Sequence, residues 1–270
     1  GFEKIDISGT NVDVNEGAGT IYRTITHDGG VLNINAGAKA EDSIINDKGT
    51  LNVANTAEIY RTEINSGGTL NVTSGGYAQD TTVNSGGLLV AEDQAKVNNM
   101  QANDGANLDI DAGSLLTGNI IIHAGATMGG SYDYSQIFKD EVAEDGSLTL
   151  VGGLNGALNE SSLINTTEGK RLHLTGGDYV IGDGAQAVKG WDLLTFKDNA
   201  NVKLEGDITL TGPNKKLIIE NGSNLNLAGN SPTNYTITGS VSNDGMMTFT
   251  HPDDEADDLT TIYGNYTAYN

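Results

Sequence analysis

Cysteine is absent from the 270 residues, which excludes a disulfide framework and any thiolate metal site. Proline occurs only three times, so the chain is no Pro-rich disordered linker despite its glycine. Aromatic residues make up 6% and apolar residues 37%, too little for a thick globular core, and a thin core of small β-branched residues fits better. Cations are scarce: 14 Lys and Arg stand against 36 Asp and Glu, a formal charge of −22. That field repels phosphate backbones and anionic polymers, so nucleic acid is not expected as a partner. The sequence holds no run of about 18 apolar residues that would cross a bilayer as a helix, and no signal-peptide pattern. Its abrupt opening at Gly1-Phe2 is what a mature or excised piece would show.

What the chain has instead is 37 glycines and a repeat. Leu32, Leu51, Leu70, Leu89 and Leu108 recur every 19 residues, followed two residues later by Ile34, Val53, Val72, Ala91 and Ile110. A second apolar column runs through Ile45, Ile64, Val83, Ala102 and Ile121, and Val12, Val14 and Ile25 belong to an earlier copy offset by 20. Each copy holds short alternating segments such as TLNVTS and DTTVN between Gly or Asn clusters, the pattern of strands with one buried face. A 19-residue period is too short for a helix pair or a propeller blade and suits one coil of a β-solenoid. Gly49, Gly68 and Gly87 then fall at corners that need tight or left-handed backbone. Beyond residue 127 the period fades, but GSLTLVGG, KRLHLTGG and KKLIIENGSNLNLAG keep the same grammar. One solenoid domain over 1–270 is expected, with regular coils in 1–127 and irregular coils in 128–270.

The stretch GGTLNVTSGGYAQDTTVNSGG resembles the repeat of the self-associating autotransporter adhesins of the AIDA-I and antigen 43 type, as do residues 9–127 generally. The closing TIYGNYTAYN resembles the start of the segment that precedes the membrane translocator in such proteins. The resemblance implies a right-handed parallel β-helix, the passenger domain of a Gram-negative surface adhesin. Its anchor, an outer-membrane barrel, would lie outside this sequence, and a secreted form is compatible with it. It further implies cell–cell aggregation, biofilm formation or host attachment, without deciding among them.

Candidate contact residues follow from the repeat. Asn33, Asn52, Asn71 and Asp109, with Val90 interrupting, sit between the two inward positions of their strands and should stack in one outward row. Such a row can dock on the same row of another copy, or be ordinary solvated polarity. Asn46, Asn65, Asn84 and Asn103 form a second ladder beside the glycine corners, where Asn65 and Asn84 are further candidates for self-association or, alternatively, Asn serves the turn itself. Tyr22, Arg23, Tyr60 and Arg61, in two IYRT segments, are residue types common at binding hot spots and able to stack on sugars, or they are half-buried packing. The irregular segment 129–146 brings Tyr132, Tyr134 and Phe138, suited to a host matrix protein or glycan. Asp109 and Asp111 could mimic a glycosidase pair, but a repeat strand supplies no cleft to raise one pKa, so no catalytic residue and no enzyme is expected. The four His show no metal-ligand spacing, and the acidic run DDEADD (253–258) lacks the turn glycine of a calcium loop, so neither a metal nor another cofactor is expected.

Overall fold

The computed structural model describes residues 4–130, 146–153, 163–164, 169–182, 186–212, 214–228, 236–250, 261–263 and 266–268. Among them there is no helix, and the strand pairings are parallel. The chain is a parallel β-solenoid. It falls into two compact units, Gly1–Ile137 and Phe138–Asn270.

In the first unit each coil places one four-residue strand in a seven-stranded parallel sheet, beginning with Asn11–Val14, Val31–Ile34, Thr50–Val53 and Thr69–Val72. Leu88–Ala91, Asn107–Ile110 and Thr127–Gly130 complete it. The register is strict: Leu70 lies between Leu51 and Leu89, and Val72 between Val53 and Ala91. These side chains are fully buried, so each coil contributes two apolar groups that cannot be covered until the next coil is laid down. The return path is a longer strand, as in Glu58–Ile64, Tyr77–Val83 and Lys96–Ala102. At the corners, backbone pairing continues: Gly67 N–H donates to Gly86 O at 2.9 Å, and Gly68 N–H closes the turn on Asn65 O at 2.9 Å. Glycine is needed at 68 because a Cβ there would sit 2.5 Å from the Ile45 carbonyl oxygen.

Two members of the second apolar column differ from the sequence reading. Thr26, not Ile25, is stacked between Ile7 and Ile45, because the extra residue of the first copy is taken up before Thr20. Ile25 is half-buried on the outer side. At the far end a bulge opposite Asn98–Met100 adds one residue, so Ile122 rather than Ile121 follows Ala102 into the core. Beside this column runs a second interior stack, Thr24, Ser43, Thr62, Thr81, Met100 and Ile120, which begins polar and ends apolar. Thr24 donates to Ser43 Oγ at 2.8 Å, whereas the buried hydroxyls of Thr62 and Thr81 find no partner among the described residues.

The second unit is also all parallel, with longer coils. Leu148 pairs with Leu172, Leu172 with Leu194, Leu194 with Leu217 and Leu217 with Val241, so these coils take 22 to 24 residues. Larger side chains fill its interior: Trp191, Phe196 and Tyr179 are buried, and the Tyr179 hydroxyl donates to Leu150 O at 2.8 Å. Much of the extra length lies between strands, such as Arg171–Ile181 and Leu193–Lys197, which explains why a fixed period is lost while the strand grammar persists.

A buried hydroxyl without a partner costs about 1–3 kcal/mol. Thr62→Val and Thr81→Val are therefore expected to raise the thermal midpoint, while Thr24→Val, which strands the Ser43 hydroxyl, should lower it; thermal unfolding followed by circular dichroism decides. The opposite ordering would show that these hydroxyls are satisfied in solution.

Candidate functional site

The outward row of the seven-stranded sheet is internally bonded. Asn33, Asn52 and Asn71 stack in register, each Nδ2 donating to the preceding coil: Asn71 to Asn52 at 2.8 Å, Asn52 to Asn33 at 2.8 Å, Asn33 to Asp13 at 2.7 Å. Val90 interrupts the bonding, and Asp109 pairs beyond it as an exposed carboxylate. Each amide in the ladder thus keeps one N–H and one lone pair for an outside partner. The row's neighbours on this face are Val31, Thr50, Thr69 and Leu88, so from Val31 to Val90 the outward positions of four successive strands carry no charge. In a chain of formal charge −22 this is a distinctive surface.

Asn46, Asn65, Asn84 and Asn103 form the second ladder without a break, with Nδ2-to-Oδ1 bonds of 2.9, 2.8 and 2.7 Å. Their carbonyls also close the corner turns. This ladder staples the corner. Asn84 reaches sideways to Glu63 as well, at 2.9 Å.

Tyr22 and Tyr60 fall in one outward column of the return strands, with Glu41 between them. Arg23 and Arg61 belong to the next position, whose backbone is left-handed in five successive coils: Arg23, Asp42, Arg61, Asp80 and Asn99 have φ of 53–56°. Gly118 continues the series at 74°. Such a conformation costs an L-residue roughly 1–2 kcal/mol, and ion pairing along the column offsets part of it. Arg61 Nε donates to Asp42 at 2.7 Å, its Nη2 donates to Glu41, and Asn99 donates to Asp80 at 2.9 Å. The Arg61 bond holds the Asp42 carboxyl below the usual carboxylate range. Sequence reading singled out the arginines and missed Asp42, Asp80 and Asn99, although Asp, Asn and Gly recurring at one phase of the repeat is the compositional sign of a left-handed position.

Two residues before the Tyr60 column, on the same strand face, Lys39 and Glu58 pair at 2.6 Å, and the Tyr60 hydroxyl donates to the same carboxylate at 2.5 Å. The lysine chiefly, then the tyrosine, hold Glu58 low, and the carboxylate pushes Tyr60 up to about 12. Tyr132, Tyr134, Phe138, His251 and the 253–258 acidic run lie outside the described residues. Asp109 and Asp111 are exposed, and among the described residues no three His, Asp or Glu gather as a metal site. Burial chiefly depresses the His173 pKa, to about 4, and neighbouring Lys197 and Arg171 add to it. His27 is bonded to Asp28 at 2.8 Å and to Asp6 at 2.6 Å, one coil back.

The first unit is thus a regular parallel solenoid whose outward columns are amide ladders and alternating charges. Residues 23–68 match the family described as AIDA, adhesin of bacterial autotransporter system, probable stalk. Over those coils the resemblance read from the repeat stands: they are similar to an adhesin stalk. Among solved structures, the crystal structure of a TibC-catalysed hyper-glycosylated TibA fragment aligns with 96% of this chain and 100% of its own length, at 16% identity and a TM-score of 0.44. At that score the fold rests on the strand pairing above. No curated protein matches the sequence.

The bonds to Asp28 and Asp6 raise the His27 pKa above its ordinary 6.5. A raised folded pKa gives stability that is fully present below the unfolded value and is lost as pH climbs through the folded one. The thermal midpoint of the wild type should therefore exceed that of His27→Gln most at about pH 5 and progressively less towards about pH 9. A difference that stays constant across this range would exclude the linkage.

Proposed function

We propose that this chain is the passenger of an outer-membrane-anchored autotransporter adhesin, displayed on the bacterial surface, and that it acts by homotypic binding between neighbouring cells. It is read as a binding scaffold without enzymatic activity. The observation that carries the proposal is the uncharged face around Asn33, Asn52 and Asn71, set in a chain of net charge −22. Two copies of a strongly acidic protein repel, and screening at physiological salt limits that repulsion to about 8 Å. A face without carboxylates is where they approach at least cost. The amide ladder offers a regular set of remaining donors and acceptors that can meet its own kind in register. One such bond contributes only about 1 kcal/mol, so adhesion depends on many copies acting between two surfaces, and avidity supplies the strength. Aggregation on this scale would support biofilm growth. The sequence expectation of a host matrix protein or glycan bound through 129–146 is the competing proposal.

Displayed on otherwise non-clumping cells, the wild-type chain should make displaying cells settle together and exclude labelled cells that lack it. Replacing Asn33, Asn52 and Asn71 with Lys should abolish settling. Wild-type settling by the triple variant would rule out this face, and loss of host binding but not of settling on deleting 130–145 would favour the competing site for that activity.

A further inference from the structure

The return strands carry a second feature, independent of the amide face and of self-association. Beside Glu58–Ile64 and Tyr77–Val83 lies an open cleft of about 510 Å³, lined by Thr56, Glu58, Tyr60, Gly75, Tyr77 and Lys96. Its size falls within the roughly 300–1,000 Å³ of small-ligand sites. Tyr60 and Tyr77 meet edge to face, with centroids 6.0 Å apart and planes at 65°. Neither ring is free to swing: the Tyr60 hydroxyl is held by Glu58 at 2.5 Å and the Tyr77 hydroxyl by Gln79 at 2.8 Å. The two rings are therefore fixed platforms with their apolar area half-exposed.

The polar groups around them are unequal. Glu58 is already satisfied by Lys39 and Tyr60. Lys96 is exposed and makes no ion pair among the described residues, although the chain has an excess of acids. Register places Glu58, Tyr77 and Lys96 in consecutive coils of one column, so Lys96 is the residue next to Tyr77 along the cleft. Thr56 accepts Gly37 N–H at 3.1 Å and keeps its own proton to donate, and Gly75 adds no side chain to the cleft. A purely apolar ligand would strand these groups. A ligand with an aliphatic C–H face, hydroxyls and one carboxylate uses all of them: the C–H face on tyrosine, the hydroxyls on Thr56, the carboxylate on Lys96.

We infer that this cleft binds a carboxylate-bearing sugar residue, of the uronic or sialic acid class, stacked on Tyr77 with its carboxylate on Lys96. The purified 270-residue chain would be titrated with 3′-sialyllactose, with a galacturonate trisaccharide and with lactose, following the tyrosine ring signals by NMR. At least one acidic sugar should shift the Tyr60 and Tyr77 rings, and which one responds identifies the source. Lactose should bind at least about tenfold more weakly, Lys96→Gln should weaken acidic-sugar binding about tenfold, and Lys48→Gln should leave it unchanged, tenfold being the scale of one charge-assisted contact. Tyr77→Leu should remove binding while preserving the circular dichroism spectrum. Absence of shifts with both acidic sugars, equal binding of lactose, or undiminished binding by Lys96→Gln would overturn the assignment. Because no cell contact is involved, failure here leaves the self-association proposal untouched.

Discussion

Hydrogen bonding from one coil to the next carries the whole first unit. Every inward side chain gains its cover from the coil above and below, so burial and backbone pairing are completed together or not at all. The register that results is unforgiving, because a one-residue slip would turn an entire strand inside out. Extra residues must therefore be absorbed where no ladder is broken. The chain does this before Thr20 and again opposite Asn98–Met100, and each insertion changes which residue enters the core: Thr26 in one case, Ile122 in the other.

The same register creates an electrostatic difficulty on the outside. Residues 19 apart in sequence become lateral neighbours about 4.8 Å apart, so a repeat that copied a charge would stack like charges into a destabilising row. Two solutions coexist. One uses amides, whose donor and acceptor ends satisfy each other from coil to coil, as along Asn33–Asn52–Asn71 and Asn46–Asn65–Asn84–Asn103. The other alternates sign, as in Arg23, Asp42, Arg61 and Asp80, and in Lys39 against Glu58. The first leaves a neutral, repetitive surface fit for a partner with the same repeat. The second fixes aromatic rings among matched charges and leaves Lys96 unmatched, a surface fit for a smaller and more specific ligand.

On the functions proposed above, those two surfaces would divide the work of adhesion. A repetitive face tolerates many registers and gains strength by number, while a cleft of fixed rings selects by chemistry. In the column next to Tyr60, the backbone at Arg23, Asp42, Arg61, Asp80 and Asn99 is left-handed, a conformation that the flanking ladders hold in place.

The 19-residue spacing of Leu32 through Leu108 was enough by itself to imply a solenoid, its inward columns and the outward asparagine rows, because strand alternation and a constant coil length leave each residue one possible face. Coil length in the second unit was not legible: its insertions fall between strands, and only pairing such as Leu194 with Leu217 reveals the longer step. Nor could the sequence say that Thr26 displaces Ile25, since hydrophobicity favours the isoleucine and only the register of neighbouring strands places the threonine inside. The left-handed column and the Tyr60–Tyr77–Lys96 cleft were likewise decided by the tertiary structure. Their residues keep the 19-residue spacing, as in 42, 61, 80 and 99 or 58, 77 and 96, but a spacing records neither the handedness of the backbone nor the tilt of a ring, which packing against neighbouring coils sets.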